Sequence, residues 1–433
     1  MNSELIGLIG ILVLIILLLA RMWIAAAMAL VGFVGYAYLM GLNASYSMIA
    51  QIPFTTMYWY PMTTVPLYTF MGIVLFQSEV GKDLYETAYT WVGQLKGGLA
   101  MATVFACALF AAITGVSSPA IVTMAKVALP ARRKYGYDEQ LALGSICCAG
   151  GLAFIIPPSM SLIIYGVLTE TSIAKLYMAG FLPGLLLVFL FISLIRFITW
   201  RNPKAGPAGA NTSFKEKIIS LKLTWPTVLL FVLVLGGIYL GIFTPTEGGA
   251  VGAFGAVVIT ASMRRLNFKK LVSCLLEATQ TTAFIMLMII GAYLLMKFLA
   301  VSKLPQLMSS TVAALPVPPV VILAGVIVIY IILGMFLDIF SAVILTLPVF
   351  FPLVKAMGWD PIWFGVIITI LIEMGLVTPP VGMDVFVLSG VSKIPVGTIF
   401  KGVMPFVLVE ILAIIIIIIF PQIALFLPST MSG

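Results

Sequence analysis

Apolar stretches long enough to cross a membrane alternate with short polar segments along the whole chain. A helix needs about 20 apolar residues to span a bilayer. Such stretches lie at 4–20, 22–41, 61–79, 140–168 and 176–197 in the first half, and at 225–241, 247–263, 280–300, 361–390 and 403–420 in the second. The pattern predicts an all-α polytopic membrane protein.

Two further apolar stretches are interrupted near their centres. Stretch 97–131 is broken at Thr114-Gly-Val-Ser-Ser-Pro119, and stretch 318–356 is broken near Gly334-Met-Phe-Leu-Asp338. Each part has roughly 15–18 residues, which is short for a span. We predict two re-entrant helical hairpins, with tips buried in protein or lining a cavity because lipid does not tolerate bare backbone. The partly polar segments 43–58, 80–95, 265–279 and 301–316 predict interfacial arm helices.

Proline, glycine and aspartate recur at a fixed distance of 222 residues. The matching positions are Pro130, Gly136, Asp138, Pro157, Pro158, Gly180 and Pro183 in the first half, and Pro352, Gly358, Asp360, Pro379, Pro380, Gly402 and Pro405 in the second. Only 8 of the 54 positions from 130 to 183 match, but seven of those eight are Pro, Gly or Asp. Repeats with matching helix interruptions are typical of transporters that bind substrate at the bilayer midplane. We predict repeats at 1–200 and 223–433, joined by a cytoplasmic linker at 201–222.

The basic residues predict the orientation of the chain. With the N-terminus outside, 18 of the 23 Lys and Arg residues fall on the cytoplasmic side, as the positive-inside rule requires. An odd number of spans then separates equivalent positions of the two repeats, so the second repeat is inverted. The first hairpin would enter the membrane from the cytoplasm and the second from outside. The segment before Arg21 has neither a basic leader nor a small-residue cleavage site, which predicts a retained first span. An uncleaved signal anchor without another role is the alternative.

Composition narrows the function further. The chain is 62% hydrophobic and 9% charged, and its net charge of +8 comes from short loops rather than from a basic solvated face. Nucleic-acid binding is therefore not expected. Histidine is absent and the four cysteines lie in or beside apolar segments, so we expect no disulfide framework, no transition-metal site and no histidine base.

The double prolines interrupt two predicted helices. Helix 140–168 is broken between Gly150 and Ser159, and helix 361–390 between Glu373 and Gly382. A double proline removes two amide donors and frees carbonyl groups one turn earlier, such as those of Ala153 and Gly375. Nearby hydroxyl groups are those of Ser117, Ser118, Ser159, Ser341 and Thr378. Such oxygens suit a monovalent cation such as sodium, and half-helix N-termini suit an anion. The alternative is a pair of proline kinks that only help packing.

Ionisable residues at membrane depth are costly and usually face a cavity or a partner. They are Asp338, Glu373, Asp384, Glu410 and Lys126. We expect Asp338 to contribute to the ion or substrate site. For Glu373 and Asp384 an ion pair or a helix cap is an equal alternative, and Glu410 and Lys126 are expected to hold scaffold or partner contacts. Asp138 and Asp360 each begin a broken helix after a glycine, which predicts N-capping.

Five segments carry a resemblance to a known family. They are Ala112-Ile-Thr-Gly-Val-Ser-Ser118, Ile155-Ile-Pro-Pro-Ser159, Phe243-Thr-Pro-Thr-Glu-Gly248, Gly334-Met-Phe-Leu-Asp338 and Thr378-Pro-Pro-Val-Gly382. With these motifs the chain resembles the large membrane subunit of tripartite ATP-independent periplasmic (TRAP) transporters, the DctM-like family. The resemblance implies sodium-driven import of an organic acid, such as a C4-dicarboxylate or sialic acid, across a bacterial inner membrane. It also implies an elevator motion, a separate small four-helix subunit (DctQ-like) and a periplasmic substrate-binding protein (DctP-like).

The family pattern assigns roles to particular residues of this chain. The first sodium site would comprise Gly115, Ser117, Ser118, Gly151, Ala153 and Pro157. The second would comprise Gly334, Asp338, Gly375, Thr378 and Pro380. Substrate would lie between them, at Ser118, Pro158, Ser159, Ser341, Thr378 and Gly382. Sodium would be the coupling ion, with no other cofactor.

Other functions stay open at this point. One alternative is a stand-alone elevator symporter that works without a binding protein. It would need the same inverted repeat, so the sequence does not exclude it. An intramembrane enzyme would use Gly115-Val-Ser117 as a nucleophile turn, with only Lys126 or a carboxylate as its base. A purely structural membrane subunit would leave Asp338 and both breaks unexplained.

Overall fold

Helices account for the regular structure of residues 2–431, the part of the chain that the computed structural model describes, apart from the side chain of Ala112. The helices of the first half are α1 (Ser3–Leu19), α2 (Ile24–Met40), α3 (Leu42–Tyr58), α4 (Thr64–Gln77), α5 (Val80–Val92), α6 (Gly98–Thr114), α7 (Ser117–Lys134), α8 (Glu139–Gly151), α9 (Met160–Thr169) and α10 (Ile173–Arg201). Short 3-10 turns at Tyr60–Thr63 and Leu152–Phe154 precede α4 and follow α8.

The second half has the same order of elements. Its helices are α11 (Phe214–Tyr239), α12 (Pro245–Ser262), α13 (Phe268–Ser302), α14 (Leu304–Ala313), α15 (Pro319–Phe336), α16 (Ile339–Ala356), α17 (Pro361–Val377), α18 (Met383–Ser392), α19 (Val396–Ile419) and α20 (Gln422–Ser429). Each interruption predicted from the sequence lies between two helices: α6 and α7, α8 and α9, α15 and α16, α17 and α18.

Helix boundaries in the two halves correspond after the shift of 222 residues. Shifted in this way, α6 and α7 coincide with α15 and α16 to within one residue, and α9 does so with α18. Contacts between the halves are reciprocal, because α7 packs against α18 while α16 packs against α9. Likewise, α2 packs against α13 while α4 packs against α12. The repeated Pro, Gly and Asp positions therefore coincide with repeated helix boundaries.

Helix α19 shows how the two broken helices approach each other. A Cβ atom at Gly402 would clash with the carbonyl oxygen of Gln140, at the start of α8. Fifteen residues later, or about 22 Å along the helix, the carbonyl of Ile417 accepts a hydrogen bond from Trp363 Nε1 at the start of α17, at 3.1 Å. Helices α8 and α17 therefore begin at opposite ends of α19 and run towards each other. Two oppositely oriented halves would produce this geometry; their orientation in a membrane stays a prediction.

Within the described part of the chain, six helices are long and apolar enough to cross a membrane: α10, α11, α13, α15, α16 and α19. Seven shorter apolar segments, among them α1, α2, α8 and α17, add to these. Large apolar side chains such as Ile16, Val232 and Leu408 are exposed, as expected for helices that face lipid. The chain is a multi-pass membrane protein.

One predicted boundary is wrong. Segments 265–279 and 280–300 were expected to form an arm helix and a separate span, but α13 is a single helix of 35 residues. The corresponding region of the first half does divide, into α3, a 3-10 turn and α4. The physical difference is Pro61, which cannot donate a helical hydrogen bond, whereas positions 281–283 are Thr-Thr-Ala.

The linker is shorter than predicted. Its irregular part covers 202–213, and the expected linker residues 214–222 form the first turns of α11. The reason is a capping box: Ser213 Oγ accepts from the amide of Glu216 at 3.3 Å, and the Glu216 carboxylate accepts from the amide of Ser213 at 2.6 Å. Near the C-terminus, α20 is an additional helix that the sequence pattern did not predict.

The linker and one ion pair hold the ends of several helices. Gly97 N donates to Gly206 O at 2.9 Å, and Asp138 N donates to Ala205 O at 3.0 Å, so the linker contacts the starts of α6 and α8. Asp83 on α5 pairs with Arg265 in the loop after α12. The hydrogen bond to Asp83 raises the pKa of the Arg265 guanidinium.

Candidate functional site

The first hairpin tip lies against the first helix break. Helix α6 ends at Gly115, whose φ of +63° suits a glycine. A Cβ atom at Gly115 would also lie 2.7 Å from the carbonyl oxygen of Pro158, and one at Gly150 would lie 3.6 Å from that of Ser117. The predicted first-site residues at the tip and at the break are therefore neighbours.

The first break is buried along its whole length. Every residue from Gly151 to Met160 is buried, including Ala153 in the 3-10 turn and Pro157, which forms a cis peptide bond with Pro158. Ser159 caps α9 by accepting from the amide of Leu162 at 3.3 Å, and its hydroxyl donates to the carbonyl of Phe154. The Ser159 hydroxyl therefore already has local partners.

The second hairpin tip lies against the second broken helix in the same way. A Cβ atom at Gly375 would lie 2.5 Å from the carbonyl carbon of Gly334, so the two backbones are in direct contact. Asp338 caps α16, accepting from the amides of Phe340 at 3.0 Å and Ser341 at 3.1 Å and from the Ser341 hydroxyl.

The second break is more open than the first. Pro379 and Pro380, again joined by a cis peptide bond, are exposed. Thr378 Oγ1 donates to the carbonyl of Met374 at 2.6 Å, one turn earlier. Gly382 has a φ of +64° and contacts Phe400. The predicted second-site residues thus surround the tip–helix contact and the break that follows it.

The predicted substrate residues divide between these two contacts. Ser118, Pro158 and Ser159 lie with the first tip and break, and Ser341, Thr378 and Gly382 lie with the second tip and break. Two acidic residues outside the predicted sites join the two groups. Ser117 Oγ donates to Asp384 Oδ1 at 2.9 Å. A Cβ atom at Gly151 would clash with the carboxylate of Glu373.

The alternatives for Glu373 and Asp384, an ion pair or a helix cap, are wrong. The ion pairs among residues 2–431 are Lys82–Glu86 and Arg265–Asp83. Helix α18 follows Gly382 without a side-chain cap, although Asp384 is in its first turn. Both carboxyl groups are buried because the packing of distant helices encloses them, and sequence spacing alone cannot reveal this.

Of the two places expected for Glu410, a scaffold contact and a partner contact, only the partner contact disagrees with the structure. It is fully buried, and neither of its side-chain oxygens has a hydrogen-bond partner in the described part of the chain. It is therefore enclosed within this chain rather than available to another subunit. Lys126 is exposed, which is compatible with a partner contact.

The predicted caps of the broken helices are confirmed. Asp138 accepts from the amide of Leu141 at 2.9 Å at the start of α8. Asp360 accepts from the amides of Ile362 at 2.7 Å and Trp363 at 3.1 Å at the start of α17. These two carboxylates are occupied by capping and lie far along their helices from the breaks.

A buried cation anchors the first hairpin. Arg132 on α7 donates to the carbonyl of Leu99 at 3.2 Å and to Ser145 Oγ at 3.0 Å, and also contacts Thr103 and the carbonyl of Ala142. It therefore ties α7 to α6 and α8. The equivalent position in the second half is Val354, which cannot make these bonds.

A cavity of about 150 Å³ lies between the hairpin tips and helices α4 and α13. Thr114 and Val116 of the first tip and Phe340 beside the second tip form one side. The other side includes Thr69, Gly72, Glu277 and Thr281. The lining offers hydroxyl groups and one carboxylate, and no Lys or Arg among the described residues contributes to it.

Comparison with known proteins agrees with this geometry. The sequence profile of the family described as "Tripartite ATP-independent periplasmic transporter, DctM component" matches residues 11–423. The C4-dicarboxylate TRAP transporter large permease protein DctM of Pseudomonas aeruginosa is 34% identical over 377 residues, covering 87% of this chain and 88% of that protein. The ectoine/5-hydroxyectoine TRAP transporter large permease protein UehC of Ruegeria pomeroyi is 32% identical, covering 84% and 85%.

A solved structure shows the same fold at lower sequence similarity. The crystal structure of the Alcanivorax borkumensis YdaH transporter aligns with a TM-score of 0.65 and 14% identity, covering 90% of this chain and 88% of that one. The relatives are named as transporter permeases, so the alternatives of an intramembrane enzyme and of a purely structural subunit are not retained. This chain belongs to the DctM family, the large permease component of tripartite ATP-independent periplasmic transporters.

Proposed function

We propose that this chain couples the entry of sodium to the import of an organic acid across a bacterial inner membrane, with its N-terminus in the periplasm. The observation that carries the proposal is the pair of tip–break contacts, Gly115 against Pro158 and Gly334 against Gly375. Interrupted helices expose carbonyl oxygens and half-helix N-termini, which suit a sodium ion and an anion respectively. The joining of both contacts through Ser117 and Asp384 supports one site that holds cations and substrate together.

Sodium would bind at the two sets of residues around these contacts. The first set includes the hydroxyls of Ser117 and Ser118 with backbone oxygens near Gly151 and Ala153. The second includes Asp338 and Thr378 with backbone oxygens near Gly375. The predicted substrate residues include hydroxyl side chains and no Lys or Arg, so the acid would be held by hydroxyls and backbone amides.

The substrate is proposed to be a small carboxylate, such as a C4-dicarboxylate, sialic acid or a related acid. The relatives' names, from C4-dicarboxylate to ectoine, support a site that accepts different small organic acids. Selectivity would then lie mainly in a periplasmic binding protein of the DctP type. A separate four-helix subunit of the DctQ type would complete the complex.

An elevator motion is proposed for the transport step. The two hairpins and two broken helices would move together, because α7 packs against α18 and α16 against α9. The scaffold would be built on the pairs α2 with α13 and α4 with α12. The cavity between the hairpin tips and α4 and α13 lies on this proposed boundary.

Uptake into liposomes tests the proposal. The permease would be reconstituted with its small subunit, and a radiolabelled C4-dicarboxylate would be supplied with a binding protein under an inward sodium gradient. We expect uptake with sodium and little uptake when choline or potassium replaces it. Equal uptake in potassium would contradict sodium coupling. Sodium-dependent uptake without any binding protein would instead favour the stand-alone symporter.

A further inference from the structure

The two hairpin tips present a carboxylate to the helix that follows them in different ways. In the second tip, Asp338 immediately precedes α16 and accepts from the amides of Phe340 and Ser341. The equivalent residue of the first tip, 222 positions earlier, is Val116, and α7 begins without a side-chain cap. The first tip therefore has no carboxylate of its own at this position.

Asp384 supplies a carboxylate to the first tip from the opposite half. Its Oδ1 accepts from Ser117 Oγ at 2.9 Å, and the two residues are only 3% and 2% exposed. Asp384 lies in the first turn of α18, which begins directly after the second break. Each tip thus has one carboxylate beside the start of its second helix. In the second tip this carboxylate is Asp338 of the tip itself, whereas in the first tip it is Asp384 from the second half of the chain.

The second carboxylate oxygen of Asp384 lacks a partner within the described residues. Asp384 Oδ2 is buried and has no hydrogen-bond partner among the described residues, and the same holds for Glu373 Oε1 next to Gly151. Neither carboxylate forms an ion pair with another residue between positions 2 and 431. A buried carboxylate with an unpartnered oxygen is costly unless a cation or a donor balances it.

The surrounding groups suit a monovalent cation. Among residues 2–431 no three Cys, Asp or Glu side chains are arranged to hold a metal ion together. The oxygen ligand beside Asp384 is instead the hydroxyl of Ser117. The carbonyl oxygen of Ser117 lies 3.6 Å from a Cβ atom built at Gly150, so the end of α8 adjoins the same place. One carboxylate with hydroxyl and carbonyl oxygens is the kind of set that holds sodium at a helix break.

We propose that Asp384 is a ligand of the first cation site, contributed by the opposite half of the chain. The inference rests on the proposed sodium coupling and adds a residue to it. Because α18 directly follows Thr378–Gly382, a cation held by Asp384 also restrains the second break. Occupation of one site then changes the affinity of the other, and this coupling is reciprocal.

Sodium-dependent stability of the purified permease complex tests the role of Asp384. The Tm is measured against sodium chloride concentration, with choline chloride keeping ionic strength constant, for the wild type, Asp384→Asn and the control Asp360→Asn. Asp360 is a helix cap at the start of α17, where asparagine is also a good cap. We expect Asp384→Asn to raise the half-saturating sodium concentration about tenfold or more, as when a charged partner is lost. Asp360→Asn should leave it unchanged.

The outcomes separate the two proposals. A wild type whose Tm does not respond to sodium contradicts both. A wild type that responds, with Asp384→Asn responding at the same sodium concentration, overturns only the role of Asp384. A lower Tm at every sodium concentration with an unchanged half-saturation also overturns it, because a merely structural contact would behave in that way.

A second variant keeps the test available if Asp384→Asn does not fold. Ser117→Ala removes only one hydroxyl and should also raise the half-saturating sodium concentration. If both single variants fold, the double variant should have the same half-saturating sodium concentration as Asp384→Asn alone, since the two residues act as one unit. An unchanged sodium response in Ser117→Ala would contradict the proposal.

Discussion

The two helix breaks share a double proline but lie in different surroundings. Every residue of the first break is buried, whereas Pro379 and Pro380 of the second are exposed. The hairpin tips differ too: the second carries its own carboxylate, Asp338, while the first contacts Asp384 of the opposite half. Repeated prolines and glycines therefore determine the course of the backbone in both halves. The side chains that complete each site come from whichever helix packs against it.

The largest expected effect is a loss of stability when the buried cation of the first hairpin, Arg132, is removed. The second hairpin has no equivalent cation. Arg132→Ala would remove the guanidinium hydrogen bonds to Thr103, Ser145 and the carbonyls of Leu99 and Ala142, and would open a cavity. We expect a loss of stability of about 3 kcal/mol or more, from several buried polar groups at 1–3 kcal/mol each. Thermal unfolding of the purified permease measures it. The neighbouring exposed Arg133 is the matched control, and equal effects in Arg132→Ala and Arg133→Ala would contradict the anchoring role.

The next effect concerns the close backbone contacts that both halves share. Gly375→Ala would place a methyl group 2.5 Å from Gly334, and Gly115→Ala would place one 2.7 Å from the Pro158 carbonyl at a positive φ. Overpacking of this kind costs about 1–3 kcal/mol, and here it would separate the tip from the break. We expect both variants to lose sodium-dependent uptake in liposomes.

Gly325→Ala is the control for these substitutions. Gly325 lies within α15, and a Cβ atom there would meet nothing within 4 Å. This variant should transport like the wild type. Normal transport by Gly375→Ala would show that the tip–helix contact is dispensable.

A smaller effect is expected when single oxygen ligands are removed. Ser118→Ala in the first site and Asp338→Asn in the second should each weaken the sodium dependence of uptake, by about tenfold in sodium affinity if one good interaction is lost. Uptake measured against sodium concentration at fixed substrate gives this value. If both variants keep the wild-type sodium response, the assignment of the two sites is wrong.

The smallest effect is expected where the halves are truly equivalent. Asp138→Ala and Asp360→Ala each remove a confirmed N-cap of a broken helix. Each should lower stability by about 1 kcal/mol and reduce expression, without changing the sodium response. Unequal losses, measured by thermal unfolding, would show that the repeat differs even at these caps.

The sequence allowed much of the fold to be predicted because proline, glycine and aspartate act locally. A double proline must interrupt a helix, and an aspartate after a glycine can cap the next one, so both breaks and both caps lie where they were expected. The same local reasoning failed for α13, where polar residues suggested a boundary but no proline enforces one.

The acidic residues at the centre could not be assigned in this way. Ser117 and Asp384 are 267 positions apart in the chain, and no periodicity relates them. Gly151 and Glu373, in contrast, are equivalent positions of the two halves, 222 residues apart, and they meet because α8 and α17 run towards each other. The absence of any acidic residue at position 116 is the one sequence signal that hinted at a carboxylate from elsewhere. The burial of Arg132 likewise depends on partners in other helices, Ser145 and Leu99, which no local pattern reveals.

Equilibrium binding of radioactive sodium to the purified permease tests whether the two tip–break contacts hold cations. We expect saturable binding that Asp338→Asn and Asp384→Asn each reduce, while Asp360→Asn leaves it intact. Absence of saturable binding, or binding that neither Asp338→Asn nor Asp384→Asn changes, would contradict the claim that the two tip–break contacts hold the coupling cations.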